Sequence, residues 1–326
     1  MSTERVPDFF IVGHHKSGTT AMYEMLRHHP QIFMPNMKEP EFFGREHSRA
    51  GEDQPDAGQR PMTYAQTRPQ TLAQYLALFA PAEAQQRAGE ASPSYLRSST
   101  AAAEIAAVAP DARIIAILRE PASFLRSLHL QMLQNRVQDE TDLRKAIASE
   151  GLAREANGRP RFGGELRPMY TDRVRYVEQL RRYEHAFTPE QVLVLIYDDF
   201  RAENVATVRR VLDFLQVDPQ VPIAAVDANP TVAARSRTLD RWVRALRAGR
   251  GPLGRAAKSS FKALTPRRMQ RDVVRAFQRK VVYGSAPAPD QSLMLELRRR
   301  FKPEVEALGE YLQRDLVSLW GYSDVE

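Results

Sequence analysis

Phe9-Phe10-Ile11-Val12-Gly13-His14-His15-Lys16-Ser17-Gly18-Thr19-Thr20 is an apolar, β-prone run feeding a short polar loop. Ala21-Met22-Tyr23-Glu24-Met25-Leu26 follows with apolar residues at helical spacing. Strand, tight loop and helix start form the geometry that offers free backbone N–H groups and a positive dipole end to an anion. Gly18 permits close backbone approach, Lys16 brings a point charge, and Ser17, Thr19 and Thr20 add hydroxyl donors. The expectation is a phosphate-type site. The pattern is not a Walker A loop, which places a glycine directly before its lysine. Here the lysine precedes the glycine.

A second strand and turn lie about a hundred residues further on. Ala112-Arg113-Ile114-Ile115-Ala116-Ile117-Leu118 has buried-strand character and ends in Arg119-Glu120-Pro121. Pro121 suits the first turn of a helix that continues through Phe124, Leu125, Leu128 and Met132. Arg119 therefore falls at the carboxyl end of a strand, where open α/β sheets bind ligands. Ser127 follows on the helix. A guanidinium fork and a hydroxyl in this placement suit a phosphate monoester.

The order Lys16-Ser17-Gly18-Thr19-Thr20 resembles the 5′-phosphosulfate loop of sulfotransferases that use PAPS (3′-phosphoadenosine 5′-phosphosulfate). Arg119-x-Pro121 with Ser127 resembles the part of the same family that holds the 3′-phosphate. The segment Lys38-Glu39-Pro40-Glu41-Phe42-Phe43 resembles the catalytic segment of heparan sulfate and related bacterial sulfotransferases. In those enzymes the first glutamate is the base. The resemblance implies Glu39 as proton acceptor, Lys16 at the bridging oxygen, and Phe42 and Phe43 as walls against water. His14, His15, His129 and Glu41 compete for the role of base, since another branch of the family uses a histidine. His15 and Glu41 are also candidates to contact the acceptor.

Three further segments fit the resemblance. Glu90-Ala91-Ser92-Pro93-Ser94-Tyr95 is similar to a family segment at the acceptor mouth, which brings in Ser92 and Tyr95. Ala91 stands where heparan-type enzymes often carry lysine, which argues against a polyanionic glycan acceptor. Val192-Leu193-Val194-Leu195-Ile196 reads as another buried strand, followed by a helix start near Asp199. The resemblance puts Tyr197 near the adenine. Arg235 or Arg237 is a candidate for the nucleotide phosphates.

The alternation of strands near 8–13, 86–90, 113–118 and 192–197 with helices near 18–28, 121–136, 172–185 and 202–216 argues an α/β fold. The expectation is a three-layer α/β/α architecture around a central parallel sheet, P-loop NTPase-like. Residues 45–70 and 150–170 read as loops near the site, and Leu297 to Tyr322 as a closing helix. At 326 residues the chain suits one elaborated domain, 1–326. Its most unusual stretch is 235–282, with fifteen Arg and Lys against Asp240 and Asp272, about +13 net. The whole chain carries +7, so the excess is local. Thr238–Ala248 and Pro266–Val282 read as amphipathic helices. We expect a basic, lid-like insertion at about 235–290 that draws anionic nucleotide, an anionic acceptor or an anionic membrane surface.

Composition narrows the chemistry. The chain has no cysteine, so disulfides, thiolate catalysis and thiolate-bound metals are excluded. The histidines lack ligand spacing, so no metal is expected. No apolar run reaches the ~18 residues of a membrane span and the amino terminus lacks a signal pattern, so a cytoplasmic location is expected. Scarce lysine and abundant alanine point to a bacterial source. The implied function is transfer of a sulfuryl group from PAPS to a hydroxyl, less readily an amine, of a small-molecule, sugar or lipid-linked acceptor, with adenosine 3′,5′-bisphosphate as product. Natural product sulfation is one setting. Two alternatives remain: a P-loop nucleotide kinase, and a non-catalytic PAPS-binding or membrane-docking protein. A nucleic-acid role is not expected, for the basic stretch has few aromatics and no binding motif.

Overall fold

β1 (Phe9–Gly13) is the central strand of the main sheet, and every one of its residues is buried. The computed structural model describes residues 5–44, 68–135, 137–155, 161–162, 165–166, 170–223, 232–234, 283–285 and 288–325. β2 (Ile32–Phe33), β3 (Arg87–Ala91), β4 (Arg113–Leu118) and β7 (Val192–Ile196) join β1 in a five-stranded sheet of order β2-β3-β1-β4-β7. All its pairings are parallel, with Phe9 opposite Gly89 and Arg113, and Ile114 opposite Val192. Parallel strands need long crossovers, and a sheet covered on both faces takes near-continuous apolar strands. Phe9-Phe10-Ile11-Val12 and Ile114-Ile115-Ala116-Ile117 meet that demand.

Alternation sends Phe9, Ile11, Ile115 and Ile117 to one face. There they pack with Met22 and Leu26 of α1 (Thr19–Leu26) and with Val208, Val211 and Leu212 of a later helix, Asn204–Leu215. Phe10 on the opposite face meets Phe43 edge-on at 6.1 Å, and Phe43 in turn meets Tyr75 of α2 (Leu72–Leu76) at 5.1 Å. Each such side chain contributes roughly 1.5–3 kcal/mol when fully buried. The result is the expected α/β/α layering.

The remaining helices are α3 (Ala101–Val108), α4 (Pro121–Asn135), α5 (Leu143–Glu155), α6 (Tyr176–Glu184), α7 (Tyr197–Ala202), α8 (Asn204–Leu215), α9 (Gln291–Leu312) and α10 (Leu316–Leu319). Several depart from the sequence expectation. The helix expected over 172–185 is broken at Arg175 (φ −75°, ψ 66°), leaving a 3₁₀ turn over Thr171–Val174 before α6. α7 begins directly at Tyr197 rather than near Asp199. The terminal helix starts earlier, at Gln291, and stops at Leu312, because Gln313 turns left-handed. The stretch 150–170 is not all loop: α5 runs to Glu155, and β5 (Arg161–Phe162) pairs antiparallel with β6 (Glu165–Leu166).

The chain divides into two compact units, one of residues 1–128, 142–229 and 291–326, the other of 129–141 and 230–290. In the first, the carboxyl-terminal segment is tied down by Arg314 on both carboxylate oxygens of Asp199 (2.5 and 2.7 Å). Trp320 adds a bond to Asp198, and Tyr322 donates to Glu120 at 2.6 Å. In the second, β8 (Val232–Ala234) and β9 (Tyr283–Ser285) form an antiparallel ribbon that brackets residues 235–282. That basic stretch lies outside the described residues, as do Arg235 and nearly all of 45–70. Among the described residues no helix is long and apolar enough to cross a membrane.

Candidate functional site

The loop after β1 is held at both ends. Leu96 donates its amide to the Val12 carbonyl (2.7 Å), and His14 donates to the Ile117 carbonyl at the end of β4 (2.8 Å). A Cβ at Gly13 would fall 2.5 Å from the Leu96 Cβ, so only glycine lets these segments meet. The chain then turns through Lys16 (φ 63°) and Gly18 (φ 88°) into α1. Phe200 closes in on Gly18, where a Cβ would lie 2.8 Å from its ring. No side chain caps α1. α4 contrasts with it, since Glu120 accepts from the amides of Ala122 (3.1 Å) and Ser123 (2.6 Å) in its first turn. One helix start supplies its own carboxylate; the other leaves its donors for something else. Ser17 and Thr19 are buried beside that start, and Thr20 is half-buried. The Ser17 hydroxyl lies 3.5 Å from the His15 carbonyl.

Arg119, half-buried at the end of β4, donates from Nη1 to the Lys16 carbonyl at 2.9 Å. Its guanidinium lies 4.7 Å from the Tyr197 ring centroid, and its own carbonyl accepts from the Tyr176 hydroxyl at 2.8 Å. The loop, Arg119 and Tyr197 thus come together. Burial first and the Arg119 charge second hold the Lys16 ammonium below its usual pKa. Among the described residues Lys16 has no ion pair. Arg126, unmarked in the sequence reading, joins this basic group: burial and then Arg119 lower its pKa too. Ser127 is buried on the same helix.

A second loop faces the first. Glu39 donates its amide to the Ala91 carbonyl at the end of β3 (3.1 Å). The Glu41 amide reaches Ser92 Oγ at 3.2 Å, and the amides of Phe42 and Phe43 share the Tyr95 hydroxyl at 2.9 and 3.3 Å. Ser92 and Tyr95 are buried, so in this structure their hydroxyls shape the 39–43 loop. Glu39 (φ 60°) and Glu41 (φ 46°) are both left-handed, a strain of order 1–3 kcal/mol each that a fixed site sustains. Phe42 stacks on Tyr75 at 4.8 Å and meets Phe43 at 5.1 Å, making an aromatic wall.

The two loops meet at His15, whose ring nitrogen lies within 4.8 Å of carboxylate oxygens of Glu39 and Glu41. This trio has the composition of a divalent-cation site. Each carboxylate, however, is ion-paired, Glu39 with Lys38 and Glu41 with Arg68.

The two histidines of the first loop are poor bases. His14 is fully buried, bonded through Nε2 to Gln179 at 2.8 Å, and burial pushes its pKa down to about 3. Burial, then Arg173 and Arg97, hold His15 well below its ordinary value. An imidazole that binds its proton so weakly is a weak base near neutrality. His129 lies in the second unit, bonded to the Thr141 carbonyl at 3.1 Å. Gln179, Tyr176, Arg97 and Arg173 were missed in the sequence, where helix-face or surface residues of these types carry no local signal. Arg97 alone had a clue, following the Ser92–Tyr95 segment.

Residues 7–220 match the sequence model of a sulfotransferase family. Among solved structures, a sulfotransferase from Alicyclobacillus acidocaldarius is 23% identical with a TM-score of 0.64, over 97% of this chain and 99% of that one. A sulfotransferase domain from the curacin biosynthetic pathway is 15% identical, with a TM-score of 0.42 over 91% and 98%. One from the Synechococcus PCC 7002 olefin synthase is 18% identical, with a TM-score of 0.40 over 93% and 98%.

Proposed function

Because the chain belongs to the sulfotransferase family, we propose that it moves the sulfuryl group of PAPS to a hydroxyl, less readily an amine, of a small-molecule, sugar or lipid-linked acceptor. The observation that carries this reading is the meeting of Arg119 with the Lys16 carbonyl at the uncapped start of α1. Among the described residues these two cations and the uncapped helix start have no anion, and a phosphosulfate is one that fits. PAPS supplies a sulfuryl group on an activated phosphate leaving group.

Lys16, Ser17, Gly18, Thr19 and Thr20 hold the 5′ end, Arg119 and Ser127 the 3′-phosphate, and Tyr197 the adenine side. Glu39 takes the acceptor proton as the acceptor oxygen bonds to sulfur. Lys16 offsets the charge left on the phosphate oxygen when the S–O bond breaks, and adenosine 3′,5′-bisphosphate leaves. The depressed pKa values of His14 and His15 favour the carboxylate over the imidazoles as base. His15, Glu41, Phe42 and Phe43 border the acceptor, with Ser92 and Tyr95 behind them. No metal takes part in this scheme: Lys38 and Arg68 already face the two carboxylates.

We read 1–326 as one sulfotransferase domain with a basic insertion at about 235–290, a reading supported by the ribbon that brackets 235–282. Arg235 would then contribute to the nucleotide phosphates, and the insertion would approach an anionic surface. A cytoplasmic site of action, in a bacterial natural-product setting, completes the proposal. The test is Glu39→Gln, assayed by release of adenosine 3′,5′-bisphosphate from PAPS with a panel of hydroxyl acceptors. Turnover should fall by about 10²–10⁴-fold with nucleotide affinity retained. Undiminished turnover would remove Glu39 from the role.

A further inference from the structure

Arg97 and Arg173 are half-buried guanidinium groups beside the His15–Glu41 meeting point, apart from the Lys16–Arg119 group. Two anchors bring them there. Leu96, bonded to Val12 and packed into the space at Gly13, delivers Arg97 next to the strand end that leads into His14. Gln179 holds His14 with its oxygen (2.8 Å) and the Asp172 carbonyl with its nitrogen (2.8 Å), so Arg173 is fixed beside the same histidine.

Neither guanidinium has an ion pair among the described residues, and Arg97 Nε is buried without a hydrogen-bond partner. The nearest anions are already committed. Glu41 acts on Arg97 but is paired with Arg68. Glu150 acts on Arg173, yet its carboxylate accepts from the amides of Tyr170 (2.6 Å) and Thr171 (3.2 Å) and from the Thr171 hydroxyl. Arg173 also feels the charge of Arg97: burial and then Arg97 lower the Arg173 pKa to about 9. Two like charges close together in a partly dry place, with no ion-pair partner among the described residues, are costly unless a ligand supplies one.

We propose that Arg97 and Arg173 form an oxyanion-binding subsite for the acceptor, so that the preferred substrate carries a carboxylate, sulfate or phosphate monoester near the hydroxyl to be sulfated. Planar guanidinium forks match the two oxygens of such a group. Gripping that end presents the hydroxyl to the neighbouring Glu39 and orders it for attack. The inference rests on the sulfotransferase reading for the word acceptor, but not for the anion.

The test is calorimetry with benzoate as probe and benzamide as its neutral counterpart, on protein first titrated with adenosine 3′,5′-bisphosphate. Benzoate should bind the loaded protein saturably and at least about tenfold more tightly than benzamide, the scale of a charge-assisted contact. Arg97→Met and Arg173→Met should each weaken benzoate by about tenfold or more, with nucleotide affinity within about twofold of wild type and Arg97→Lys recovering part of the loss. Retained nucleotide affinity also shows that the variants fold. Equal binding of benzoate and benzamide by the wild-type protein overturns the proposal whatever the variants do. So does exclusion of benzoate by the nucleotide together with loss of nucleotide affinity in the variants, which would assign the arginines to the donor. If the nucleotide itself does not bind, the functional reading fails separately, and the benzoate titration of the free protein still decides the subsite.

Discussion

Replacing Glu90 by glutamine should stabilise the protein at neutral and alkaline pH. Glu90 is completely buried on β3, its Oε2 3.4 Å from the Ser92 hydroxyl and its Oε1 without a partner. Burial is the main cause that raises its pKa from 4.5 to about 8, with the Glu41 charge adding to the rise and the Tyr95 and Ser92 hydroxyls opposing it. Between those two values the folded protein keeps the proton and the unfolded chain does not. Stability is therefore greatest below the lower value and declines as pH rises through the upper one. Each pH unit in that window is worth ~1.4 kcal/mol, so the full span from 4.5 to about 8 is on the order of 5 kcal/mol. Glutamine cannot ionise and is free of this penalty. Urea unfolding of both proteins from about pH 5 to about pH 9 isolates the effect, because every other titrating group is common to the pair. The two should nearly agree at the acid end, the variant gaining steadily and levelling off near pH 8 to 9. A difference independent of pH, or one that shrinks with rising pH, would refute the reasoning.

Two further outcomes follow from the loop geometry. Gly18→Ala combines a left-handed φ with a Cβ 2.8 Å from the Phe200 ring, and should cost roughly 2–5 kcal/mol in urea unfolding while weakening adenosine 3′,5′-bisphosphate; stability within about 0.5 kcal/mol of wild type would mean the loop is looser than described. Transfer from PAPS should be unchanged after EDTA treatment and dialysis, since cations already face both glutamates of the His15 trio; activity lost to EDTA and restored by a divalent ion would instead make that trio a metal site.

The part of the candidate site around Lys16 and Arg119 was legible in the sequence because its signals are local. An apolar run followed by Lys16-Ser17-Gly18 and another followed by Arg119-Glu120-Pro121 each spell a strand end and a helix start within a dozen or so residues. The Lys38–Phe43 segment was readable through resemblance alone, since neither its left-handed glutamates nor its support from Ser92 and Tyr95 leaves a pattern in the chain. What was not legible depends on contacts between distant segments. Gln179 reaches His14 across the fold, Arg173 follows from that contact, and Arg97 from the packing of Leu96 against Gly13. The break at Arg175 was likewise invisible, because no residue type marks it; it goes with the Gln179 side chain donating to the Asp172 carbonyl, a tertiary detail with no local pattern.

The most direct test of the central claim is calorimetric titration of the purified protein with adenosine 3′,5′-bisphosphate, alongside AMP and ATP with Mg²⁺. The account predicts a strong preference for the bisphosphate that disappears in Arg119→Ala. Preference for ATP with Mg²⁺, or no binding of any nucleotide, would contradict it.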